Sequence, residues 1–293
     1  TAPEQADPTP EPTIEKTAPD GAYRMPERVR KVFALATDTG MNLWLFGPKG
    51  AGKTEAARHW AESHDRPFIR VQFDASTERA DIIGGWGLEN GKTVFKHGVI
   101  AMAIQQEGAV ILLDEITYAR PENLASLQGL LEGKELRIAE TGEVIPIAEG
   151  VQFVAADNTN GAGDSTGRYS GTRPLNAAFV DRFGLMLEMP GHGRDKIAEI
   201  VRGRTGCSAM HAAVIGHFAH LAQQKVEIGV LSDAPSIRGL CAWGHALNAG
   251  IENAAEITIL AKYPEEERGE AEVLVKITGG KSSTVQKLRV QSR

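Results

Sequence analysis

Long apolar runs are largely missing from this 293-residue sequence, whose longest uninterrupted aliphatic stretch is the five residues 109–113. A membrane-spanning helix needs about 20 apolar residues, and no basic-then-apolar leader opens the chain. We therefore expect neither a membrane span nor a secretion signal. Cysteine is also scarce, because the chain has only Cys207 and Cys241. Their spacing is unlike that of a metal site and favours reduced thiols. Together these features predict a soluble, cytoplasmic protein.

An excess of positive charge is missing as well, since the formal net charge at pH 7 is -6. This value excludes a protein that binds nucleic acid over its whole surface, and it leaves a local basic channel open. The hydrophobic content of 42% and the charged content of 24% are ordinary for a globular protein.

The composition divides the chain into four segments. Residues 1–21 are rich in proline and acids and poor in large apolar side chains, which predicts a disordered tail. Residues 22–191 alternate apolar strands with helical patterns. Residues 192–275 carry mainly helical patterns and predict a smaller helical domain. Residues 276–293 form a tail with basic residues and no acids.

The alternation within residues 22–191 predicts an α/β fold, with a parallel sheet covered by helices on both faces. The expected strands are residues 42–46, 68–73, 109–114, 151–156 and 184–189, and the expected helices include residues 54–63 and 121–133. Two β-hairpins interrupt this pattern, with turns at Asn90-Gly91 and at Thr141-Gly142.

A phosphate-binding motif follows the first predicted strand. The octapeptide GPKGAGKT fits the G-x-x-x-x-G-K-[ST] pattern and opens a helix. Backbone N–H groups of such a loop, together with the helix N-terminus, bind phosphate oxygens. We expect Lys53 to reach the β- and γ-phosphates of ATP and Thr54 to ligate Mg²⁺. The predicted nucleotide-binding residues are Gly47, Pro48, Lys49, Gly50, Ala51, Gly52, Lys53 and Thr54.

A pair of acids ends the apolar strand at 109–114. Asp114 and Glu115 would lie at the carboxyl edge of the sheet, where ligands bind in α/β proteins. We expect Asp114 to hold Mg²⁺ through its water shell and Glu115 to polarise the attacking water. The alternative is that the two acids merely cap the following turn.

The two motifs together resemble those of AAA+ ATPases, and more closely those of the MoxR/CobS-like clade, which includes the ATPase subunit of the aerobic cobaltochelatase. The most specific likeness is the segment NTNGAGDSTGRYSGT, which is similar to a signature of the CobS type. The resemblance covers roughly residues 22–192, and more faintly reaches about residue 250. Its phosphate-binding motif and acid pair imply a P-loop NTPase that hydrolyses Mg-ATP.

The resemblance also implies roles for three further residues. Asn158, after the next strand, would sense the γ-phosphate, and Arg182 would enter the active site of a neighbouring subunit. Arg238 would act from the helical lid, although Ile237 stands where the family usually has proline. Arg168 and Arg173 could also face the neighbour. The alternative for Arg182 is a surface ion pair with Asp181 or another acid.

The partners implied by the resemblance are further copies of the chain and a client. We expect a homo-oligomeric ring, most simply a hexamer, that remodels or activates a partner protein complex. One alternative is a cobaltochelatase motor that drives cobalt insertion into a corrin precursor with large and integrin-like (VWA-type) partner subunits. Another is a nucleic-acid-associated, phage-encoded ATPase that uses a ring of Lys92 and Lys96. In the simpler interpretation these lysines, with His97, are solvated turn residues.

Overall fold

The computed structural model describes residues 23–163 and 171–279. Contacts divide the described chain into two compact units. The first comprises residues 25–48, 52–163 and 171–189, and the second comprises residues 23–24, 49–51 and 190–279. The predictions for residues 1–21, for Arg168 and for the chain from residue 280 onward lie outside the described residues.

A five-stranded parallel sheet forms the centre of the first unit. In chain order its strands are β1 (Leu43–Phe46), β2 (Phe68–Gln72), β5 (Val110–Asp114), β8 (Gln152–Asp157) and β9 (Leu185–Glu188). Their order across the sheet is β2-β5-β8-β1-β9, and every neighbouring pair is parallel. β5 and β8 are buried along their whole length, as expected for strands covered on both faces. The predicted α/β class is confirmed.

Both predicted hairpins are present. The first hairpin pairs β3 (Gly84–Glu89) with β4 (Lys92–His97), and the second pairs β6 (Leu136–Arg137) with β7 (Val144–Ile145). Asn90 and Gly91 make the first turn with positive φ angles of 50° and 74°, as the Asn-Gly sequence favours.

The described part of the first unit contains seven α-helices. They are α1 (Glu27–Thr39), α2 (Lys53–Ser63), α3 (Arg79–Ile82), α4 (Val99–Ala103), α5 (Pro121–Leu124), α6 (Leu127–Leu131) and α7 (Ala177–Val180). The single helix expected over residues 121–133 is wrong, because α5 and α6 are separate. The backbone N–H groups of Ala125 and Gln128 donate to carbonyls three residues back. Such bonds tighten the chain into a 3₁₀-like turn and interrupt the α-helix.

The second unit is helical, as the sequence indicates for this part of the chain. Its helices are α8 (Arg194–Thr205), α9 (Ala209–Glu227), α10 (Ile237–Asn248), α11 (Ala254–Thr258) and α12 (Glu265–Ile277). Its core includes an edge-to-face pair of Phe218 and Trp243, with ring centroids 5.4 Å apart. Cys207 and Cys241 are free thiols buried in this core. Among the helices described, none is both long and apolar enough to cross a membrane.

Candidate nucleotide-binding site

The parallel sheet brings three chain segments together at its carboxyl edge. In the register of the strands, Phe46 of β1 lies beside Asp157 of β8, and Asp114 of β5 lies beside Ala156. The phosphate-binding motif, Glu115 and Asn158 directly follow these strand ends. Residues far apart in sequence therefore converge on one edge.

The phosphate-binding loop depends on glycine, as Gly47 and Gly52 show. Gly47 has φ of 140°, and a Cβ added there would lie 2.2 Å from the carbonyl oxygen of Met189. Gly52 has φ of 88° and precedes α2, so that Lys53 and Thr54 open the helix. A side chain at either position would be strained, and at Gly47 it would also collide with the backbone.

Lys53 and Asn158, both predicted from the sequence, are in contact. Lys53 as a whole residue is 9% exposed, and its ammonium is hydrogen-bonded within the loop. It donates to the carbonyl oxygens of Gly47 (2.7 Å) and Pro48 (3.0 Å) and to Asn158 Oδ1 (3.3 Å). A buried ammonium needs such acceptors. The same cation can transfer to phosphate oxygens while staying beside the Asn158 amide.

Asp114 and Thr54, the predicted Mg²⁺ ligands, are also adjacent. Thr54 Oγ1 donates to Asp114 Oδ2 over 3.2 Å. A hydroxyl and a carboxylate are the hard oxygen ligands that Mg²⁺ takes, so the residues present fit the ion. The same Oδ2 also accepts from Arg70 Nε at 2.8 Å. Arg70 therefore offsets part of the negative charge of Asp114.

Glu115 lies in a turn of unusual backbone geometry. Its φ is 60°, in the left-handed region that few non-glycine residues occupy. Its N–H donates to the carbonyl oxygen of Ala156 at 2.8 Å. Its carboxylate accepts from Gln72 Nε2 at 3.1 Å. The strained backbone persists because neighbouring strands hold the turn, and such strain is concentrated at functional sites.

Sequence reasoning missed Arg70 and Gln72. Both lie on β2, which pairs with β5 so that Gln72 is beside Asp114. Each contacts one of the two predicted acids. The available signal was their alternation with apolar residues in FIRVQF, which places both side chains on one face of a strand.

Arg182 lies at the opposite edge of the sheet from this site. It precedes β9, and its carbonyl oxygen accepts from Asn42, which precedes β1. Its guanidinium pairs with Glu132 at 2.5 Å, and the Arg182 side chain is 19% exposed. Hydrogen bonds from Lys134 and from Arg182 hold the pKa of Glu132 below its ordinary value.

The other predicted residues are Arg238, Arg173 and the loop residues Lys49, Gly50 and Ala51. Arg238 is exposed in the first turn of α10, in the second unit. By contacts, Lys49, Gly50 and Ala51 are grouped with the second unit. Arg173 is exposed, and its backbone N–H donates to the carbonyl oxygen of Thr117 at 2.8 Å.

Comparisons with known proteins agree with this geometry. The AAA domain family (dynein-related subfamily) matches residues 42–183. The aerobic cobaltochelatase subunit CobS of Sinorhizobium sp. is 29% identical over 239 residues, covering 76% of this chain and 70% of CobS. The "Putative chaperone BssE" of Thauera aromatica is 30% identical over 194 residues, covering 65% of this chain and 64% of BssE.

A structural likeness supports the same fold. A mutant of RuvB from Thermotoga maritima superimposes with a TM-score of 0.52 at 17% identity, covering 89% of this chain and 74% of that chain. The fold, the site and the family match together define a P-loop ATPase of the AAA+ class. Residues 42–183 match this AAA domain family, and the chain is similar in sequence to CobS and to BssE.

Proposed function

We propose that this ATPase works as a ring of identical subunits, a hexamer, in which ATP hydrolysis remodels a partner protein complex. One observation carries the proposal. Arg182 and the Lys53–Asp114 site occupy opposite edges of one sheet. A strand rises about 3.3 Å per residue, so a four-residue strand separates the edges by roughly 13 Å. This separation supports a role for Arg182 in the site of a neighbouring copy and not in that of its own chain.

The residues at the carboxyl edge take distinct roles in this proposal. Lys53 and the backbone of the loop bind the phosphates of ATP, and Asn158 contacts the γ-phosphate. Glu115 accepts a proton from the attacking water as the P–O bond to ADP breaks. Thr54 and Asp114 would hold Mg²⁺, which when bound neutralises charge on the β- and γ-phosphates. Arg182 of the next subunit stabilises the charge that develops on the transferred group.

Ring formation should therefore control the rate. An arginine supplied in trans raises ATP or GTP hydrolysis by about 10³–10⁵-fold. We expect the specific activity of dilute monomers to lie at least about 10³-fold below that of assembled rings. Steady-state ATPase activity against protein concentration, with the mass measured at each point, checks this. Hydrolysis by a monomer at a concentration-independent specific rate would overturn the ring proposal.

The first hairpin offers a surface for the partner protein. Trp86 and Leu88 share one face of β3 and are 57% and 76% exposed. Trp86 packs edge-to-face on Phe95 of β4, with centroids 5.6 Å apart, and this contact holds its ring. Exposed apolar side chains on a rigid hairpin favour contact with another protein. His97 Nε2 lies 2.8 Å from Glu143 Oε2, so its imidazole is hydrogen-bonded to an acid.

Removing this apolar face should uncouple the motor from its client. We expect the double variant Trp86→Ser/Leu88→Ser to keep basal ATPase activity within about twofold, as surface substitutions generally do. Stimulation of the ATPase by added cobaltochelatase partner subunits should be lost. Met210→Ser, at a residue of α9 that is 70% exposed, is the matched control. Equal stimulation of the double variant and the control would contradict the role of the hairpin.

The same assay separates the candidate clients. CobS is named as a cobaltochelatase subunit, and the sequence match to it spans 76% of this chain. Stimulation by large and integrin-like chelatase subunits, with cobalt inserted into a corrin precursor, would establish the chelatase function. Stimulation by single-stranded DNA that weakens steeply with salt would instead favour the nucleic-acid function.

A further inference from the structure

Asp157, the last residue of β8, is a buried acid to which the proposed hydrolysis assigns no role. Asp157 is 1% exposed. Its Oδ2 accepts from Thr117 N at 2.8 Å, and its Oδ1 accepts from Thr117 Oγ1 at 2.8 Å. Oδ1 also accepts from the backbone N–H groups of Asn158 (2.7 Å) and Thr159 (3.2 Å). All four donors are uncharged. Burial of a carboxylate is costly, and here four hydrogen bonds offset that cost.

The partners of Asp157 belong to the two segments that carry the proposed chemistry. Thr117 lies two residues after Glu115, in a 3₁₀ turn over Ile116–Tyr118, and is fully buried. Asn158 is the proposed sensor of the γ-phosphate. One carboxylate therefore bonds both to the turn of Glu115 and to the start of the signature loop (residues 158–173).

Thr117 also holds the other end of the signature loop. Its carbonyl oxygen accepts from the backbone N–H of Arg173 at 2.8 Å. Thus the backbone N–H, the hydroxyl and the carbonyl of Thr117 are all bonded, two of them to Asp157 and one to Arg173. The position of the Glu115 turn is fixed relative to both ends of this loop.

We infer that Asp157 and Thr117 form a positioning pair that fixes the carboxylate of Glu115 relative to Asn158. The inference rests on the roles proposed above for Glu115 and Asn158. Because Glu115 keeps a left-handed backbone, its turn needs external bonds to stay in place. A displacement of about 1 Å in a catalytic group can cost about 10²-fold in rate. Loss of the pair should therefore slow turnover with little loss of ATP binding, since Lys53 and the phosphate-binding loop supply most of the proposed contacts to the phosphates.

Thr117→Val tests the pair because valine has the same shape and lacks the hydroxyl. We expect kcat for ATP hydrolysis to fall by about 10–10²-fold, while KM and the affinity for a fluorescent ATP analogue stay within about twofold. Thr117→Ser, which restores the hydroxyl, should recover most of the lost kcat. Thr117→Ala is measured alongside, so that the test survives if the valine variant does not fold.

Thr205→Val is the matched control. Thr205 is a buried threonine of α8 whose hydroxyl donates to Val201 O at 2.8 Å, in the second unit. It should lower thermal stability to a similar extent and leave kcat within about twofold of the wild-type value.

The outcomes separate this inference from the proposed site. If Thr117→Val lowers the melting temperature but its folded protein keeps the wild-type kcat, the positioning role is wrong. A rise in KM as large as the expected fall in kcat would overturn it too, because ATP binding would then be affected. Glu115→Gln is assayed in parallel. If that variant hydrolyses ATP at the wild-type rate, the proposed role of Glu115 fails, and the positioning inference fails with it.

Discussion

Replacing Glu115 by glutamine is expected to lower kcat for ATP hydrolysis by about 10²–10⁴-fold, the usual contribution of a general base. Glutamine keeps the length of the side chain and an oxygen that can accept from Gln72 Nε2, which now lies 3.1 Å from the carboxylate. It cannot take up the proton of the attacking water. Because the phosphates are bound by Lys53 and the loop, ATP affinity should change little. Single-turnover hydrolysis and binding of a fluorescent ATP analogue measure the two quantities separately.

Glu107→Gln is the matched control for this variant. Glu107 is exposed and precedes β5, whereas Glu115 follows the same strand. The control makes the same chemical change at the amino edge of the sheet and should leave both quantities unaltered. A Glu115→Gln variant that lost ATP binding while keeping its turnover would show that Glu115 has been given the wrong role.

Replacing Arg182 by alanine is expected to lower kcat by about 10³–10⁵-fold in assembled rings. The reason is the loss of a positive charge from the neighbouring active site. Mixing this variant with Glu115→Gln subunits should restore part of the activity. In such a ring, a subunit with an intact Glu115 receives its arginine from a Glu115→Gln neighbour. Steady-state ATPase activity across mixing ratios, with the mass of the rings measured, checks both expectations.

Glu132→Ala distinguishes the catalytic role of Arg182 from a structural one. Within its own chain, Arg182 pairs with Glu132 at 2.5 Å. If this ion pair were the whole function of Arg182, removal of either partner would have the same effect. We expect Glu132→Ala to retain most of the activity, since an ion pair near the surface contributes little to stability. Equal losses in the two variants, with no rescue on mixing, would return Arg182 to the role of an ion-pair partner.

Local sequence patterns predict much of the sheet and of the phosphate-binding loop. Apolar runs bounded by turn residues locate all five parallel strands to within about two residues, the usual uncertainty of element boundaries. The positions of Lys53, Asp114 and Asn158 follow from these strands, because the carboxyl ends of parallel strands meet at one edge. The contact of Lys53 with Asn158 therefore agrees with the expectation drawn from two motifs that are distant in the sequence.

Side chains that act across strands could not be found in this way. The contact of Arg70 with Asp114 depends on β2 being the neighbour of β5. That neighbour relation is set by the whole topology and not by any local pattern. The contacts of Asp157 could not be predicted for a different reason. In the segment FVAADN it is the final residue of a buried strand, and only the fold shows that Thr117 supplies two hydrogen bonds to it.

The break between α5 and α6 illustrates a limit of periodicity. Residues 121–133 contain good helix formers and apolar residues at helical spacing. Ser126 nevertheless bonds by its hydroxyl to the carbonyl oxygen of Asn123 at 3.2 Å. Serine side chains compete in this way with helical hydrogen bonds. Since the competition depends on local geometry, the sequence alone does not determine which bond forms.

Trp44 gives the signature loop an intrinsic fluorescent reporter. Its indole is fully buried on β1 beside Phe183, yet its Nε1 donates to the carbonyl oxygen of Thr159 at 3.2 Å. Thr159 is the residue after the proposed γ-phosphate sensor, so any shift of the start of the loop on nucleotide binding would alter the polarity around the indole. The other tryptophans are Trp60, Trp86 and Trp243. With these three changed to phenylalanine, the emission of Trp44 would follow the start of the loop through each round of hydrolysis, without an attached dye.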